Sequence, residues 1–287
     1  MVVKIRTIKD IKHFMDYELS ELYSGPEIRA FANIIKTELK LSKLQMIAFP
    51  ESAVTGKQAG EIVRICRELK TGRPIQYILG KTGFYNCIIG VNSSTLIPRP
   101  ETEELVDLII KDNNGFNGSI VDLGTGSGCI AIALGRNIPG ARVTGIDSSG
   151  AAIETAIENA VINKVNITFL ISDIFDLKKD QRLKADIIVS NPPYVRESEK
   201  KKMAKNVIDF EPAGALFVPD SDPLKYYSAI LGIARIILAA NGRIYFEINE
   251  AFGKEIAALL DSVGFTDISI IKDLNGKDRF AKGIRNG

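Results

Sequence analysis

The sequence predicts an α/β fold, in which a doubly wound, mostly parallel sheet follows a small helical domain and a β-hairpin. Three observations support this fold class. Apolar residues recur at helical spacing over residues 8–69, short β-like pieces occupy residues 82–97, and strand-like and helical segments alternate after Pro100. Such alternation indicates parallel strands joined by crossover helices that cover both faces of a sheet. A chain of 287 residues can also bury more than one core.

The N-terminal segment is expected to form about four short helices. Ile28, Phe31 and Ile35 recur at spacings that place their side chains on one helix face. Breakers such as Gly25-Pro26 and Pro50 divide the segment into short pieces. No part of it has the alternation that is typical of a strand.

A β-hairpin is predicted next, because the pieces Phe84-Tyr85 and Cys87-Ile88-Ile89 are separated by turn-forming residues. The predicted organisation is therefore an N-terminal helical domain at residues 1–75, a hairpin linker at 76–100 and an α/β domain at 101–287.

Five apolar runs after Pro100 are predicted to be strands. Ligands of doubly wound sheets bind beyond the carboxyl ends of the strands. Asp122, Asp147, Asp173 and Asn191 each stand at or just after such an end, so we expect them to converge on one crevice. The predicted strands lie at 120–122, 143–146, 167–171, 186–189 and 243–248, and the predicted helices lie at 130–134, 151–161 and 226–238.

The composition excludes several classes of function. The chain has 37 basic and 35 acidic residues, a formal charge of +2, which provides no global field for nucleic acid. Cys66, Cys87 and Cys129 are widely spaced and form no CxxC pair, which argues against disulfides and zinc and favours a reducing compartment. The only histidine is His13, so we expect neither a histidine base nor a metal site.

Two segments bear on localisation. Residues 1–14 contain no continuous apolar run of the kind found in signal peptides. The longest apolar stretch, at 229–240, carries Arg235 and is too short to span a bilayer. We therefore expect a cytoplasmic protein that does not bind membranes.

A glycine loop follows the first predicted strand, and it indicates the cofactor. Glycines at such a bend allow the backbone to approach a ligand closely. A dinucleotide fingerprint has its third glycine one residue later, where Cys129 stands. The carboxylate of Asp122 suits a cationic amine better than a pyrophosphate. S-adenosylmethionine carries an ammonium group and no phosphate, and it is the predicted cofactor. The loop residues expected to bind it are Gly124, Thr125, Gly126, Ser127 and Gly128.

Two further strand ends extend the predicted cofactor site. Asp147 stands where an acidic side chain can accept hydrogen bonds from both ribose hydroxyls. Asp173 is placed for the adenine amino group, with Ile174 against the ring. Alternatively, Asp147 only caps the helix that starts near Ser149. The order of the glycine loop and the two aspartates favours the cofactor role.

The motif Asn191-Pro192-Pro193-Tyr194 ends a buried strand, because proline cannot donate to a sheet ladder. The Asn191 side-chain carbonyl and the Pro192 backbone carbonyl offer two fixed acceptors. They suit a planar –NH2 group whose nitrogen faces a methyl donor, with Tyr194 as an aromatic wall. Asn191, Pro192 and Tyr194 are the predicted catalytic residues. Asn191 is also expected to adjoin the cofactor, and all four residues of the motif are expected to bind substrate.

Catalysis at such a site must come chiefly from orientation, which can supply roughly 7–11 kcal/mol, because no histidine is at hand to take a proton. Polarisation of the amine by its two acceptors adds to this effect. The alternative for the motif is a proline turn that merely ends the strand.

Six motifs along nearly the whole chain resemble those of the HemK/PrmC family of protein-(glutamine-N5) methyltransferases. They are QYILG at 76–80, LIPRPETEELV at 96–106, VDLGTGSGCIAIAL at 121–134, VSNPPYV at 189–195, FEPAGALF at 210–217 and DLNGKDRFAKG at 273–283.

This resemblance implies a class I S-adenosylmethionine-dependent methyltransferase fold. It also implies methylation of the side-chain amide nitrogen of the glutamine in the GGQ motif of peptide-chain release factors. The family's cofactor positions fall on residues 124–128, Asp147 and Ile174, and its substrate clamp falls on 191–194. The chain departs from the family at Ile174, where relatives often have an aromatic residue. It departs again at Asn249, where they often have glycine.

Three other hypotheses share parts of these motifs. A ribosomal-protein glutamine methyltransferase is disfavoured by the PRPETEE sequence at 98–104. A nucleic-acid amino-methyltransferase normally needs a basic groove, and Lys200-Lys201-Lys202, the only basic run, is interpreted as a solvated face. A cofactor-binding protein without activity is disfavoured by the intact clamp.

We expect release factors as protein partners and no direct nucleic-acid partner. We also expect a monomer, in which the N-terminal domain docks the substrate.

Overall fold

The computed structural model describes residues 4–41, 43–177 and 183–287. The chain divides into two compact units, Met1–Leu79 and Gly80–Gly287. The predicted fold class is confirmed: helices come first, then a hairpin, then a mostly parallel seven-stranded sheet.

The first unit is built from helices, several of which begin with a capping box. Ser24 and Glu27 form a capping box at the second helix, as do Thr55 and Gln58 at the fourth; such boxes satisfy backbone donors that would lack partners. The apolar faces of these helices bury one cluster, which includes Ile75 and Ile78 of the last helix. The helices are α1 (Ile8–Leu19), α2 (Gly25–Glu38), α3 (Lys43–Ala48), α4 (Gly56–Leu69) and α5 (Ile75–Leu79).

The predicted hairpin consists of β1 (Lys81–Phe84) and β2 (Cys87–Gly90), which pair antiparallel. Its two turn residues, Tyr85 and Asn86, have φ of 42° and 61°, as a type I′ turn requires. The hairpin belongs to the second compact unit, and its predicted role as a linker stays a prediction.

The second unit contains a seven-stranded sheet with the order β10-β11-β9-β6-β3-β4-β5. Neighbours from β9 to β5 are parallel, whereas β11 is antiparallel to both β9 and β10. The strands are β3 (Ser119–Leu123), β4 (Arg142–Asp147), β5 (Thr168–Ile171), β6 (Ala185–Ser190), β9 (Leu238–Glu247), β10 (Phe265–Lys272) and β11 (Asp278–Arg285), and β7 (Val195–Arg196) and β8 (Phe217–Val218) form a separate parallel pair. The helices are α6 (Pro100–Asp112), α7 (Cys129–Asn137), α8 (Gly150–Asn163), α9 (Lys205–Phe210), α10 (Lys225–Ile237) and α11 (Gly253–Ser262).

The structure differs from the predicted elements at the C-terminal edge of the sheet. Sequence patterns predicted neither β10 nor β11, because their residues are largely half-buried and carry several charges. Strand β9 begins at Leu238 rather than at residue 243, and its register with β6 shifts between Ala185 and Ile187.

The main core of the second unit lies between the sheet and the helices that cover it. Fully buried side chains from β3, β6 and β9 pack against α10 and α11. This rigid core holds the carboxyl ends of the central strands in place. Within the ranges described above, no helix has the length and apolar character needed to cross a membrane.

Candidate active site

A cavity of about 410 Å³ lies at the carboxyl ends of β3, β4 and β6. The last residues of these strands, Leu123, Asp147 and Ser190, all line it. This is the edge at which doubly wound sheets bind ligands. The rest of the lining comes from residues 94–96, 98–99, 124–127, 148–149, 173–175, 191–193, 212 and 214–215 and from side chains of α6, α7, α8 and α10.

The glycine loop forms one wall of the cavity with its backbone. Gly124 and Gly126 have φ of 76° and 55°, in the left-handed region that favours glycine. A Cβ atom at either position would have no other heavy atom within 4 Å, so the backbone is open to a ligand. The loop is tied to β4 by the amides of Gly124 and Thr125, which donate to the Ile146 carbonyl at 2.8 and 2.9 Å.

The structure places Gly128 differently from the sequence prediction, which counted it among the cofactor-binding residues. It is not among the lining residues of the cavity. A Cβ atom there would lie 3.0 Å from Ala156 Cβ and 3.3 Å from the Phe169 ring. Gly128 also has φ of 78° and precedes α7. Its role is to let α7 approach α8 and β5 closely.

Asp122 is also placed differently. We expected it at the crevice, yet it is completely buried and does not belong to the cavity lining. Thr125 Oγ1 donates to its Oδ2 at 2.6 Å. Burial raises the pKa of Asp122 to about 7. The carboxyl therefore supports the glycine loop from beneath instead of facing a cationic amine.

Asp147 joins the glycine loop to the helix that follows β4. Its Oδ2 accepts from the Gly126 amide at 2.9 Å, and its Oδ1 accepts from the Ser149 amide at 2.9 Å. The cap of α8 itself comes from Ser149, whose Oγ accepts from the Ala152 amide. Asp147 lines the cavity. Asp147 therefore does not cap α8 directly, and each of its carboxylate oxygens has a further lone pair that can accept a hydrogen bond from a ligand.

Aromatic side chains stand beside the predicted adenine position. Asp173 and Ile174 line the cavity as expected, and Phe175 and Tyr226 line it with them. The rings of Phe175 and Tyr226 lie 5.6 Å apart between centroids. The sequence prediction missed both. Phe175 directly follows Ile174 in the sequence, and this adjacency could have indicated that Phe175 also lines the cavity.

Asn191, Pro192 and Pro193 line the cavity beside the glycine loop. The Asn191 amide donates through Nδ2 to Thr102 Oγ1 at 3.2 Å. Its carbonyl oxygen is therefore the acceptor left for a ligand. Thr102, which the sequence prediction also missed, lines the cavity from α6; it lies within the IPRPETE motif, to which no residue role had been given.

Tyr194 differs from its predicted role as a wall beside the substrate amide. It is not among the lining residues, and its ring packs against the main core. Its hydroxyl donates to Oε1 of the buried Glu247 at 2.9 Å. Burial, followed by the charge of Glu247, raises the pKa of Tyr194. Tyr194 therefore anchors the motif from behind.

An ion pair joins two loops at the rim of the cavity. Arg99 lines the cavity and pairs with Glu211, which is buried. Glu211 Oε2 also accepts from the Ile97 amide at 3.1 Å. The IPRPETE and FEPAGALF motifs therefore meet here, and the pairing holds two walls of the cavity together.

Asn249 has a defined set of partners in place of the glycine that is frequent in the family. Its Nδ2 donates to the Tyr194 carbonyl at 3.2 Å and to Glu199 Oε2 at 3.1 Å. Its Oδ1 accepts from the Ala251 amide. Asparagine at this position thus adds hydrogen bonds to Tyr194 and Glu199, which lie at the end of the clamp and in the segment that follows it.

The donors and acceptors of the cavity fit S-adenosylmethionine. The open backbone of the glycine loop leaves room for a ligand, and the carboxylates of Asp147 and Asp173 suit hydroxyl and amino groups. The same carboxylates would repel a pyrophosphate, which makes a dinucleotide a poor occupant. The rings of Phe175 and Tyr226 would flank an adenine.

Comparisons with solved structures agree with this fold. The chain is similar to a T. thermophilus 16S rRNA N2 G1207 methyltransferase, solved with AdoMet and guanosine, at 18% identity and a TM-score of 0.53, covering 72% of this chain and 50% of that one. A methyltransferase from Pyrococcus furiosus has 14% identity and a TM-score of 0.53, covering 81% of this chain and 100% of that one. Residues 100–231 match the family model described as the methyltransferase small domain.

Curated relatives are similar over almost the entire length. The release factor glutamine methyltransferase of Flavobacterium psychrophilum is 44% identical over 280 residues, which cover 96% of this chain and 98% of the relative. That of Bacteroides thetaiotaomicron is 40% identical over 276 residues, covering 96% and 99%. At this level of identity and coverage, the chain belongs to the family of release factor glutamine methyltransferases.

Proposed function

We propose that this protein transfers a methyl group from S-adenosylmethionine to the side-chain amide nitrogen of the glutamine in the GGQ motif of peptide-chain release factors. The observation that carries the proposal is the position of Asn191 and Pro192 at the cavity, beside the glycine loop. Family membership supports the same substrate, since the relatives are release factor glutamine methyltransferases. The protein acts as a cytoplasmic monomer on a protein partner.

The residues at the cavity have separate tasks. S-adenosylmethionine, when bound, supplies an electrophilic methyl group on a sulfonium centre. Gly124, Gly126 and Asp147 would hold it, the aspartate through the ribose hydroxyls. The proposed ring-binding side chains are those of Asp173, Ile174, Phe175 and Tyr226.

The clamp orients the substrate amide. Asn191 Oδ1 and the Pro192 carbonyl accept its two hydrogens, so that its nitrogen is directed at the methyl group. Both acceptors strengthen as positive charge develops on that nitrogen, and the proton that the nitrogen loses on methylation passes to solvent. Holding the reactants in this geometry can supply roughly 7–11 kcal/mol, which suits a weak nucleophile in a cavity without a histidine.

The test is to incubate the protein with isotopically labelled S-adenosylmethionine and, in parallel, with release factor, ribosomal protein, DNA and RNA. We expect label on release factor alone, and on the GGQ glutamine when peptides are sequenced by mass spectrometry. A release factor with that glutamine replaced by glutamate is the matched control and should remain unlabelled. Label on nucleic acid or ribosomal protein instead would overturn the proposal.

Asn191→Ala should lower the rate of methyl transfer by at least about 10²-fold, as loss of one preorganised hydrogen-bonding group does elsewhere. Cofactor affinity should stay within a few-fold of the wild type, because Asn191 holds the substrate amide. Single-turnover kinetics and calorimetry measure the two quantities. Near-normal turnover in this variant would contradict the clamp mechanism.

A further inference from the structure

We propose that Thr102 and Glu247 are positioning residues that set the direction of the Asn191 side-chain amide; this inference rests on the proposed function. Neither residue has a role in the chemistry described above. Both belong to a short buried chain of hydrogen bonds that ends at the clamp.

The chain of hydrogen bonds is continuous, and its inner bond, between Thr102 and Glu247, is shielded from water. Asn191 Nδ2 donates to Thr102 Oγ1 at 3.2 Å, and Thr102 Oγ1 donates to Glu247 Oε2 at 2.6 Å. The other carboxylate oxygen, Oε1, accepts from Tyr194 at 2.9 Å. Thr102 and Glu247 are 2% and 1% exposed, so water has little access to compete for the bond between them.

While Glu247 is ionised, the form that the charge of Arg279 favours, the order of donors and acceptors allows one direction only. A carboxylate can accept hydrogen bonds but cannot donate them, and a hydroxyl carries a single hydrogen. The hydrogen of Thr102 is therefore committed to Glu247, and its oxygen can only accept from Asn191. The –NH2 group of Asn191 must point at Thr102, and its carbonyl oxygen must point to the cavity.

Three separate elements supply this arrangement. Thr102 lies in the first turn of α6, Glu247 ends β9, and Asn191 follows the end of β6. Strands β6 and β9 are parallel neighbours, which brings their carboxyl ends together. The arrangement also assigns a role to the threonine of the IPRPETE motif.

Without this restraint, the Asn191 amide could rotate by half a turn. Its –NH2 group would then meet the –NH2 group of the substrate, and two donors would face each other. Only the correct orientation supports transfer, so the loss should appear in kcat rather than in cofactor binding.

The first test compares Thr102→Val with Thr102→Ser. Valine preserves the shape of threonine and removes the hydroxyl, whereas serine retains it. We expect kcat to fall about 10- to 100-fold in T102V, because a small misplacement of a reacting group lowers the rate by this order. In T102S, kcat should stay within about threefold of the wild type. KM for release factor and Kd for S-adenosylmethionine should change little in both variants.

Thr155→Val is the matched control. Thr155 is buried, accepts from Asn92 Nδ2 at 2.9 Å and does not line the cavity. The variant T155V therefore loses the same type of Asn–Thr hydrogen bond at a place away from the clamp, and its kcat should remain near the wild-type value. If T102V kept normal kcat, if T102S were as impaired as T102V, or if T155V lost as much, the inference would be wrong.

The variant T102V/E247Q guards against a folding defect, because it removes the buried charge that loses one of its two hydrogen-bond donors in T102V. If Thr102 and Glu247 act through Asn191 as one unit, the double variant should be no slower than T102V. A further loss close to the product of the two single effects would contradict a shared action.

A measurement without substrate separates this inference from the proposed function. With asparagine labelled by ¹⁵N, the side-chain amide protons of Asn191 should exchange slowly with water in the wild type and in T102S, and faster in T102V. This result would stand even if release factor proved not to be the substrate. Equal exchange in the wild type and T102V would overturn the inference.

Discussion

At the scale of single residues, the aspartates of the site are distinguished by their surroundings. Asp147 lines the cavity and holds the Gly126 and Ser149 amides, whereas Asp122 lies beneath the same loop and is fully buried. Both stand at strand ends in the sequence, and their position there does not distinguish them. The depth of each side chain decides its role.

We expect Asp147→Ala to weaken the binding of S-adenosylhomocysteine by about tenfold or more, because loss of a hydrogen bond to a charged group is worth about 1.5–3 kcal/mol. Since Asp147 also supports the loop, the ribose contact must be isolated. Calorimetry with 2′-deoxy and 3′-deoxy forms of the ligand does this. In the wild type, the deoxy forms should bind more weakly than the parent ligand. In D147A, the deoxy forms and the parent ligand should bind equally well. Equal penalties in both proteins would leave Asp147 with its structural role alone.

The pKa of Asp122 predicts a pH-dependent stability. Burial raises this pKa from 3.8 to about 7, above its value in the unfolded chain. Its contribution to stability is therefore present below the unfolded pKa and is lost as pH rises from about 4 to about 7. Asp122→Asn stays neutral, so its Tm should fall less than that of the wild type over this range. The two Tm curves should diverge by at least about 2–4 °C, the shift that 1 kcal/mol causes in domains of 150–250 residues. Parallel curves would show that Asp122 does not titrate as described.

At the scale of elements, helix α8 connects the hairpin to the glycine loop of the site. Its Asn159 donates to the Gly90 carbonyl of the hairpin at 3.0 Å and to the Ser127 carbonyl of the glycine loop at 2.9 Å. Asn163 Nδ2 donates to the Ile88 carbonyl at 2.7 Å, and its Oδ1 accepts from the Ile88 amide at 3.0 Å. The hairpin is thereby fastened to the methyltransferase unit. Helix α8 also packs closely against the start of α7 at Gly128.

Gly128→Ala should destabilise the protein by about 2–5 kcal/mol, the sum of left-handed strain and overpacking. Gly115→Ala is the control, because Gly115 has φ of 74° and a methyl group added there would meet no heavy atom within 4 Å. It should cost only the strain, about 1–2 kcal/mol. Denaturant unfolding followed by circular dichroism measures both. If the two variants were equally stable, crowding at Gly128 would not be the reason for glycine there.

At the scale of the whole molecule, the chain combines a helical unit with a unit that carries all of the cavity residues. The predicted domain boundary after residue 75 stays a prediction. Ile75 and Ile78 of α5 pack in the helical core, so a cut after Leu79 keeps that core whole. A small amide site cannot by itself distinguish one glutamine from many, and docking is the role we propose for the helical unit.

Deleting residues 1–79 should preserve S-adenosylmethionine binding by the remaining unit, which has its own core. Methylation of intact release factor should fall by about tenfold or more in kcat/KM, as loss of a specificity contact does. A short GGQ peptide is too small to reach a docking surface. The truncated protein should therefore methylate it almost as well as the full chain does. If the truncated protein methylated intact release factor at the full rate, the docking role would be excluded.

The sequence by itself determined the α/β fold class, the cavity at the strand ends and the candidate residues of the glycine loop and the NPPY motif. These features depend on local physics, since apolar periodicity, glycine and proline act over a few neighbouring residues. Only the tertiary structure decided that Gly128 packs a helix, that Asp122 is buried and that Tyr194 faces Glu247. It also brought Thr102 to Asn191 and Glu247, which lie 89 and 145 residues away in the chain. Contacts over such separations depend on strand order and helix packing, which no local pattern encodes.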